Sequence, residues 1–119
     1  MKIAIPSDGK KGPEELVSEH FGKTPYFTLF DEGGKIIEFI ESDARHAGGT
    51  RHPPQTLKDN NVDVLVCKGL GMNAIKMCKA FGIKIFISEA DTVGKMFEEY
   101  KSGDARPATD DYACKDAKH

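Results

Sequence analysis

Two short apolar runs separated by a segment of helix length constrain the fold more than any other feature. Residues 62–67 form a nearly continuous apolar run, and residues 83–88 form a second. Strands that are buried on both faces of a parallel sheet have this composition. Residues 73–81 between them carry apolar side chains at helical spacing, and Gly82 follows as a natural helix stop. The sequence therefore predicts a β-α-β unit with two parallel strands.

Elements predicted on either side complete an α/β sheet with helices on its faces. Strands are predicted at residues 2–6, 26–31 and 35–41, helices at 53–60 and 93–101, and a helical turn at 14–19. The strands at 26–31 and 35–41 form an antiparallel hairpin in this prediction. We therefore expect one α/β domain over residues 1–103, with a mixed five-stranded sheet, followed by a polar, mobile tail over 104–119.

Composition and charge exclude several classes of protein. The length of 119 residues suits a single domain. With 17 basic and 19 acidic residues the net charge is −2, so the basic field that nucleic-acid binding needs is missing. No apolar run approaches the roughly 20 residues that span a membrane, and residues 1–6 are too short for a secretory signal. We expect a cytoplasmic protein with no nucleic-acid or membrane partner.

Cysteine usage indicates free thiols. The three cysteines, Cys67, Cys78 and Cys114, cannot all pair within one chain and show no C-x-x-C spacing. Reduced thiols are available as soft metal ligands. Cys78 lies among apolar neighbours in a predicted helix and is expected in the core. Cys67 ends a buried strand, so its thiol is either a core group or a ligand.

The first candidate motif is Ser18-Glu19-His20-Phe21-Gly22, which is followed by Pro25-Tyr26-Phe27. His20 is expected in a loop just before a strand. A neutral imidazole there can bind iron or another transition metal. The alternative is a structural role, in which the imidazole of His20 bonds to the backbone and holds the loop.

The second candidate motif lies in a polar loop predicted at residues 43–54. Two histidines and two arginines, interleaved with Gly48 and Gly49, occur within eight residues; they are Arg45, His46, Arg51 and His52. Imidazoles would coordinate a metal, and guanidinium groups would neutralise an anionic ligand. The histidines are six residues apart, which matches no recognised zinc spacing, and an ordinary solvated loop is the alternative.

The third candidate motif is Cys67-Lys68-Gly69-Leu70-Gly71-Met72-Asn73-Ala74. Its glycines allow a ligand to approach the backbone, and the following helix offers free N–H groups to an anion. The same residues satisfy the relaxed dinucleotide pattern G-x-G-x-x-A, with Glu89 where a ribose-binding acid is expected. A small nucleotide-binding module is therefore an alternative. No nucleophile elbow or Walker phosphate loop is present in the sequence.

The order and spacing of these motifs resemble the dinitrogenase iron-molybdenum cofactor biosynthesis family. The resemblance rests on Ser-Glu-His-Phe-Gly at 18–22, Pro-Tyr-Phe at 25–27, Gly-Gly at 48–49 and Gly-Leu-Gly-Met-Asn-Ala at 69–74. These domains are NifX/NifY-like and also occur at the C-terminus of NifB proteins. The resemblance covers residues 1–103 and implies a ribonuclease-H-like α/β fold without nuclease chemistry.

The resemblance also implies a function and a set of site residues. It implies binding of iron-sulfur or iron-molybdenum cofactor precursors during metallocluster assembly. His20 matches the family's histidine before Phe-Gly, and His46 lies in the loop where relatives often carry histidines. Gly69, Gly71 and Asn73 match the turn that opens the following helix. The chain departs from many relatives at Lys23-Thr24, where no cysteine precedes Pro-Tyr-Phe.

Residues and resemblance together predict a non-catalytic carrier for a transiently bound metallocluster precursor. The predicted metal ligands are His20, His46, His52 and Cys67, and the predicted cofactor-binding residues are Arg45, Gly49, Arg51, Gly69, Gly71 and Asn73. The expected partner is a metallocluster donor or acceptor protein, and the expected state is a monomer or weak homodimer. A cofactor-free protein-interaction domain is a further alternative to the nucleotide-binding module.

Overall fold

The computed structural model describes residues 1–42 and 53–108. The elements in chain order are β1 (Ile3–Ser7), a 3-10 helix (Phe21–Lys23), β2 (Tyr26–Phe30), β3 (Ile36–Glu41), α1 (Pro53–Asp59), β4 (Val64–Cys67), α2 (Met72–Ala80), β5 (Lys84–Ile87), α3 (Val93–Ser102) and β6 (Arg106–Pro107). No helix within these residues is long and apolar enough to cross a membrane.

The strands form one mixed sheet in the order β3-β2-β1-β4-β5-β6. β1, β4 and β5 are parallel, while β2 is antiparallel to both β1 and β3. The predicted β-α-β unit and the predicted hairpin are therefore confirmed, as is the α/β class.

Two predictions about elements are wrong. The sheet has six strands rather than five, because Arg106–Pro107 pairs with β5 and the Ala108 N–H donates to Ile85 O at 2.9 Å. The helical turn predicted at residues 14–19 does not form either. Leu16 and Val17 instead form single antiparallel bridges with Thr92 and Ser7, because tertiary pairing overrides a weak local preference.

The two faces of the sheet carry separate apolar clusters. One cluster packs α1 and α2 against the sheet and includes Leu57, Leu65 and Ile75, all fully buried. The other packs α3 against the opposite face, where the rings of Phe30 and Phe97 stack with centroids 4.5 Å apart. The helices thereby cover both faces of the central strands, and ligands in such sheets bind at the carboxyl ends of the parallel strands.

β3, which precedes the 43–52 segment, ends at the edge where the parallel strands finish. β3 runs in the same direction as β1 because β2 is antiparallel to both. Tyr26 pairs with Ser7 on one side and with Glu41 on the other, so β1 and β3 end at the same level of the sheet. Asn60, just after α1, lies at the opposite edge, where its carbonyl accepts from Lys2 Nζ at 3.0 Å.

Candidate functional site

Three connections meet at the C-terminal edge of the parallel strands. The segment that follows β1 folds back on this strand, since the Ser18 N–H donates to Pro6 O at 3.1 Å. The Val17 N–H donates to Asp91 O at 2.9 Å, which joins the same segment to the connection after β5. The connection after β4 lies between them because β4 pairs with both β1 and β5.

His20 is held between two anchored residues of the first motif. On one side, Ser18 Oγ donates to Asp8 Oδ1 at 2.7 Å and lies 2.8 Å from Thr24 Oγ1. On the other side, Phe21 is buried and its ring lies 5.8 Å from that of Phe27. His20 itself is exposed, so the local sequence fixes its backbone and leaves its imidazole at the surface.

His20 helps to hold the loop through its backbone carbonyl rather than through its imidazole ring. His20 precedes the 3-10 helix as its N-cap, and its carbonyl accepts from the Lys23 N–H at 3.0 Å. The imidazole has no hydrogen-bond partner among residues 1–42 and 53–108. A ring with two free nitrogen positions at a fixed backbone site suits metal coordination.

The turn after β4 leaves the start of α2 open. Gly71 is the N-cap in an extended conformation with no side-chain cap, and a Cβ placed on it would meet no atom within 4 Å. Gly69 precedes it in the turn, and Asn73 is exposed in the first turn of α2. Free N–H groups at a helix start attract an anion.

The start of α3 is closed, in contrast to that of α2. The Val93 N–H donates to Glu15 O at 2.9 Å, and the Gly94 N–H donates to Pro13 O at 2.9 Å. Its first amides are therefore already satisfied by the loop that follows β1. Of the two helix starts at this edge, only that of α2 is available to a ligand within the described residues.

Lys68 joins the three connections and was missed by the sequence prediction. Its Nζ lies 3.0 Å from Glu19 Oε1 and 2.9 Å from Asp91 Oδ1. The hydrogen bond to Asp91 raises the pKa of Lys68, against the opposing effect of partial burial, and Glu19 adds to the rise. The same hydrogen bond lowers the pKa of Asp91. The available signal was a charged residue placed directly between a buried strand and Gly69.

Cys67 lies in the core rather than at the site surface. Its side chain is 1% exposed, in the cluster beneath α1 and α2. Burial raises the pKa of the Cys67 thiol to about 12, with a further rise from Cys78 and a smaller opposing effect of the Gly69 N–H. Metal binding requires the thiolate, so the structure favours the core role for Cys67.

The remaining predicted ligands lie outside the described residues. These are Arg45, His46, Gly49, Arg51 and His52. Within the described residues, no group of three or more His, Cys, Asp or Glu side chains could hold a metal ion. A site with three or more protein ligands would therefore include residues from outside the described ranges 1–42 and 53–108.

The dinucleotide-like pattern occupies a matching piece of the fold. Gly69, Gly71 and Ala74 follow β4 and open α2, and exposed Glu89 comes directly after Ser88 at the end of β5. β4 and β5 are adjacent and parallel, as in one β-α-β unit of a nucleotide-binding sheet.

Comparisons with solved structures identify similar folds. A structure described as a NifB protein from Thermotoga is 31% identical, covering 89% of this chain and 91% of that chain, with a TM-score of 0.75. The apo form of the orange protein from Desulfovibrio gigas is 26% identical, covering 91% and 92%, with a TM-score of 0.79. A dinitrogenase-related structure from Methanocaldococcus jannaschii, 20% identical over 92% and 95% with a TM-score of 0.68, supports the fold alone.

The comparison with curated proteins found no match. The sequence profile of the family described as dinitrogenase iron-molybdenum cofactor matches residues 1–103, which include every element from β1 to α3. The chain belongs to the dinitrogenase iron-molybdenum cofactor family.

Proposed function

We propose that this protein is a non-catalytic carrier that binds an iron-sulfur or iron-molybdenum cofactor precursor and delivers it to a partner protein. The observation that carries the proposal is the pairing of an exposed imidazole at His20 with the open start of α2, at one edge of the sheet. A metal-sulfur cluster needs both kinds of contact, because its metals take donor atoms and its net charge is negative.

In this proposal the residues divide into two sets. His20, His46 and His52 supply nitrogen ligands to the metal atoms of the cargo. The backbone around Gly69 and Gly71, with Asn73, binds the anionic sulfur surface, and Arg45, Gly49 and Arg51 approach it from the 43–52 segment. We leave Cys67 out of the ligand set, because its thiol is buried and protonated.

Binding and release are the whole of the proposed mechanism. His20 is exposed and Gly71 has open space around it, so the cargo would remain partly accessible to a metallocluster donor or acceptor protein. An open site with few protein ligands favours transfer, whereas a closed four-ligand cage favours retention. We also propose that the fold is ribonuclease-H-like without nuclease chemistry. The proposed location of the protein is the cytoplasm.

Anaerobic reconstitution tests this function. The protein is incubated with iron and sulfide, or with a preformed iron-molybdenum cofactor precursor, then desalted and examined by visible and EPR spectroscopy. We expect a stoichiometric chromophore that is lost in the His20→Ala/His46→Ala double variant. His119→Ala removes an imidazole that is not among the proposed ligands and serves as the control.

Two results would contradict the proposal in different ways. Equal retention by the parent and the double variant would mean that the cargo is bound through other residues. A folded parent that stays colourless with both cargoes would overturn the carrier function and favour the nucleotide-binding or cofactor-free alternatives.

A further inference from the structure

Lys68 has a largely buried side chain whose two ion-pair partners are exposed. Its side chain is 16% exposed, so the aliphatic stem is packed and the ammonium stays near the end of β4. Glu19 and Asp91, in contrast, have side chains 71% and 82% exposed. Rotation of the carboxylates into water therefore costs little packing, whereas movement of Lys68 would disturb its packed stem.

The two ion pairs are weak enough to exchange. A carboxylate at the surface recovers its hydration when it leaves an ion pair, and such pairs contribute little to stability. A ligand with two or more negative charges that is already bound at the same edge gains more from this ammonium than a singly charged, exposed carboxylate does. Lys68 is also in the turn that opens α2, next to the amides assigned to the cargo.

We propose that Lys68 is an exchangeable anion-binding group, whose ammonium is held by Glu19 and Asp91 in the unloaded protein and by a metal-sulfur polyanion in the loaded one. This inference rests on the proposed carrier function and deepens it. The two carboxylates then act as an internal competitor that keeps the cation in place and lowers the affinity for cargo, which assists release.

The exchange also has a consequence for the neighbouring loop. Glu19 directly precedes His20, and Asp91 O accepts from the Val17 N–H in the same segment. When Glu19 leaves Lys68, the link between His20 and the end of β4 is released. Cargo that binds Lys68 therefore removes one side-chain contact between this segment and the end of β4, while its backbone hydrogen bonds to Pro6 and Asp91 remain.

The test uses the full chain and the thiomolybdate dianion MoS₄²⁻ as the probe, titrated anaerobically and followed by its absorbance. Lys68→Met keeps the length of the stem and removes the charge, and we expect the affinity to fall at least about tenfold. Glu19→Gln with Asp91→Asn removes the competing charges, and we expect the affinity to rise about three- to tenfold.

The opposite signs of these two effects separate exchange from a purely structural link. If Lys68 only ties the loops together, both sets of substitutions break the tie and both weaken binding. Lys101→Met, in the last turn of α3, controls for the loss of one positive charge, and Glu38→Gln with Glu98→Gln controls for the loss of two negative charges. Neither control should change the affinity by more than about twofold.

Three other outcomes are decisive. Binding by Lys68→Met at parental affinity would overturn the inference while the carrier function stands. Weaker binding by Glu19→Gln/Asp91→Asn would do the same, because it indicates the structural link. A parent that retains neither thiomolybdate nor a reconstituted iron-sulfide chromophore would overturn the carrier function, and this inference with it.

Discussion

At the residue scale, the site is built from side chains whose neighbours decide what they can do. His20 and Cys67 were both predicted as metal ligands, yet the structure gives them different surroundings. His20 is exposed between the anchors Ser18 and Phe21, while Cys67 is 1% exposed beneath two helices. The residue type alone is therefore insufficient, because an imidazole or a thiol becomes a ligand only where the cargo can reach it in its deprotonated form.

Cys67 and Cys78 are expected to react slowly with alkylating reagents in the folded protein. Burial raises the pKa of both Cys67 and Cys78 to about 12, so very little thiolate forms near neutral pH. In a Cys114→Ser variant, we expect iodoacetamide at about pH 8 to label these thiols at least about a hundredfold more slowly in the native protein than in urea. Mass spectrometry after timed quenching measures both rates. Rapid native labelling at Cys67 would return this thiol to the set of candidate ligands.

The Lys68–Asp91 pair gives a prediction about pH. The hydrogen bond from Lys68 holds the folded-state pKa of Asp91 below its ordinary value of 3.8, so the contribution of Asp91 to stability is present above that pH and is lost as pH falls through the lowered value. The folded-state pKa of Lys68 lies above 10.5, so its contribution is present below that pH and is lost as pH rises through the raised value. Between these limits both groups are charged and the pair is intact.

Urea unfolding of the parent and of Asp91→Asn measures this effect. We expect the parent to be the more stable protein near pH 7, and the difference to shrink as pH falls through the lowered pKa of Asp91, because the carboxyl is then protonated in the folded state as well as in the unfolded state. Glu98→Gln, on the exposed face of α3, is the matched control. A stability difference that does not shrink as the solution is acidified would mean that Asp91 acts through packing rather than charge.

At the scale of elements, the predictable parts are those that repeat a local pattern. The apolar runs that became β4 and β5, and the 3.6-residue spacing of α2, are visible in the sequence and are confirmed. β6 is two residues long and contains Pro107, so it has no periodicity to detect. Lys68 has partners 49 and 23 residues away, and such pairing follows only from the folded sheet.

The loop that follows β1 packs closely against α3 at Gly94. A Cβ at this position would lie 2.8 Å from Pro13 Cβ and 3.2 Å from Pro13 O, in the loop whose carbonyls cap α3. Alanine is ordinarily the better helix former by about 1 kcal/mol. Here we expect Gly94→Ala to destabilise the protein by about 1–3 kcal/mol, because the loop must move away from the helix.

Thermal or urea unfolding measures whether Gly94→Ala lowers or raises the free energy of unfolding. Gly22→Ala is the control, because a Cβ at Gly22 meets no atom within 4 Å and should change stability by less than about 0.5 kcal/mol. Stabilisation by Gly94→Ala would show that the loop yields easily and that helix propensity dominates at this position.

At the scale of the whole molecule, the sheet order brings His20, Lys68 and the start of α2 to the edge where the parallel strands end. β1, β4 and β5 end there, and so does β3, which leads into the 43–52 segment. Two apolar layers occupy the faces, so the edge is where polar groups from distant parts of the sequence meet. The net charge of −2 gives no long-range attraction for an anionic cargo, so binding depends on the local contacts of this edge.

This arrangement predicts which ligands stabilise the folded protein. A ligand that binds only the folded state adds RT ln(1 + [L]/Kd), or about 2.7 kcal/mol at a hundredfold excess over Kd. We expect an increase of several degrees in Tm with the metal-sulfur cargo, and no increase with NAD, FAD or ATP at millimolar concentration. Scanning calorimetry under anaerobic conditions measures all four. An increase with a nucleotide that is abolished by Glu89→Gln would instead assign the Gly69–Gly71 turn to nucleotide binding, whereas no increase with any ligand would favour a cofactor-free interaction domain.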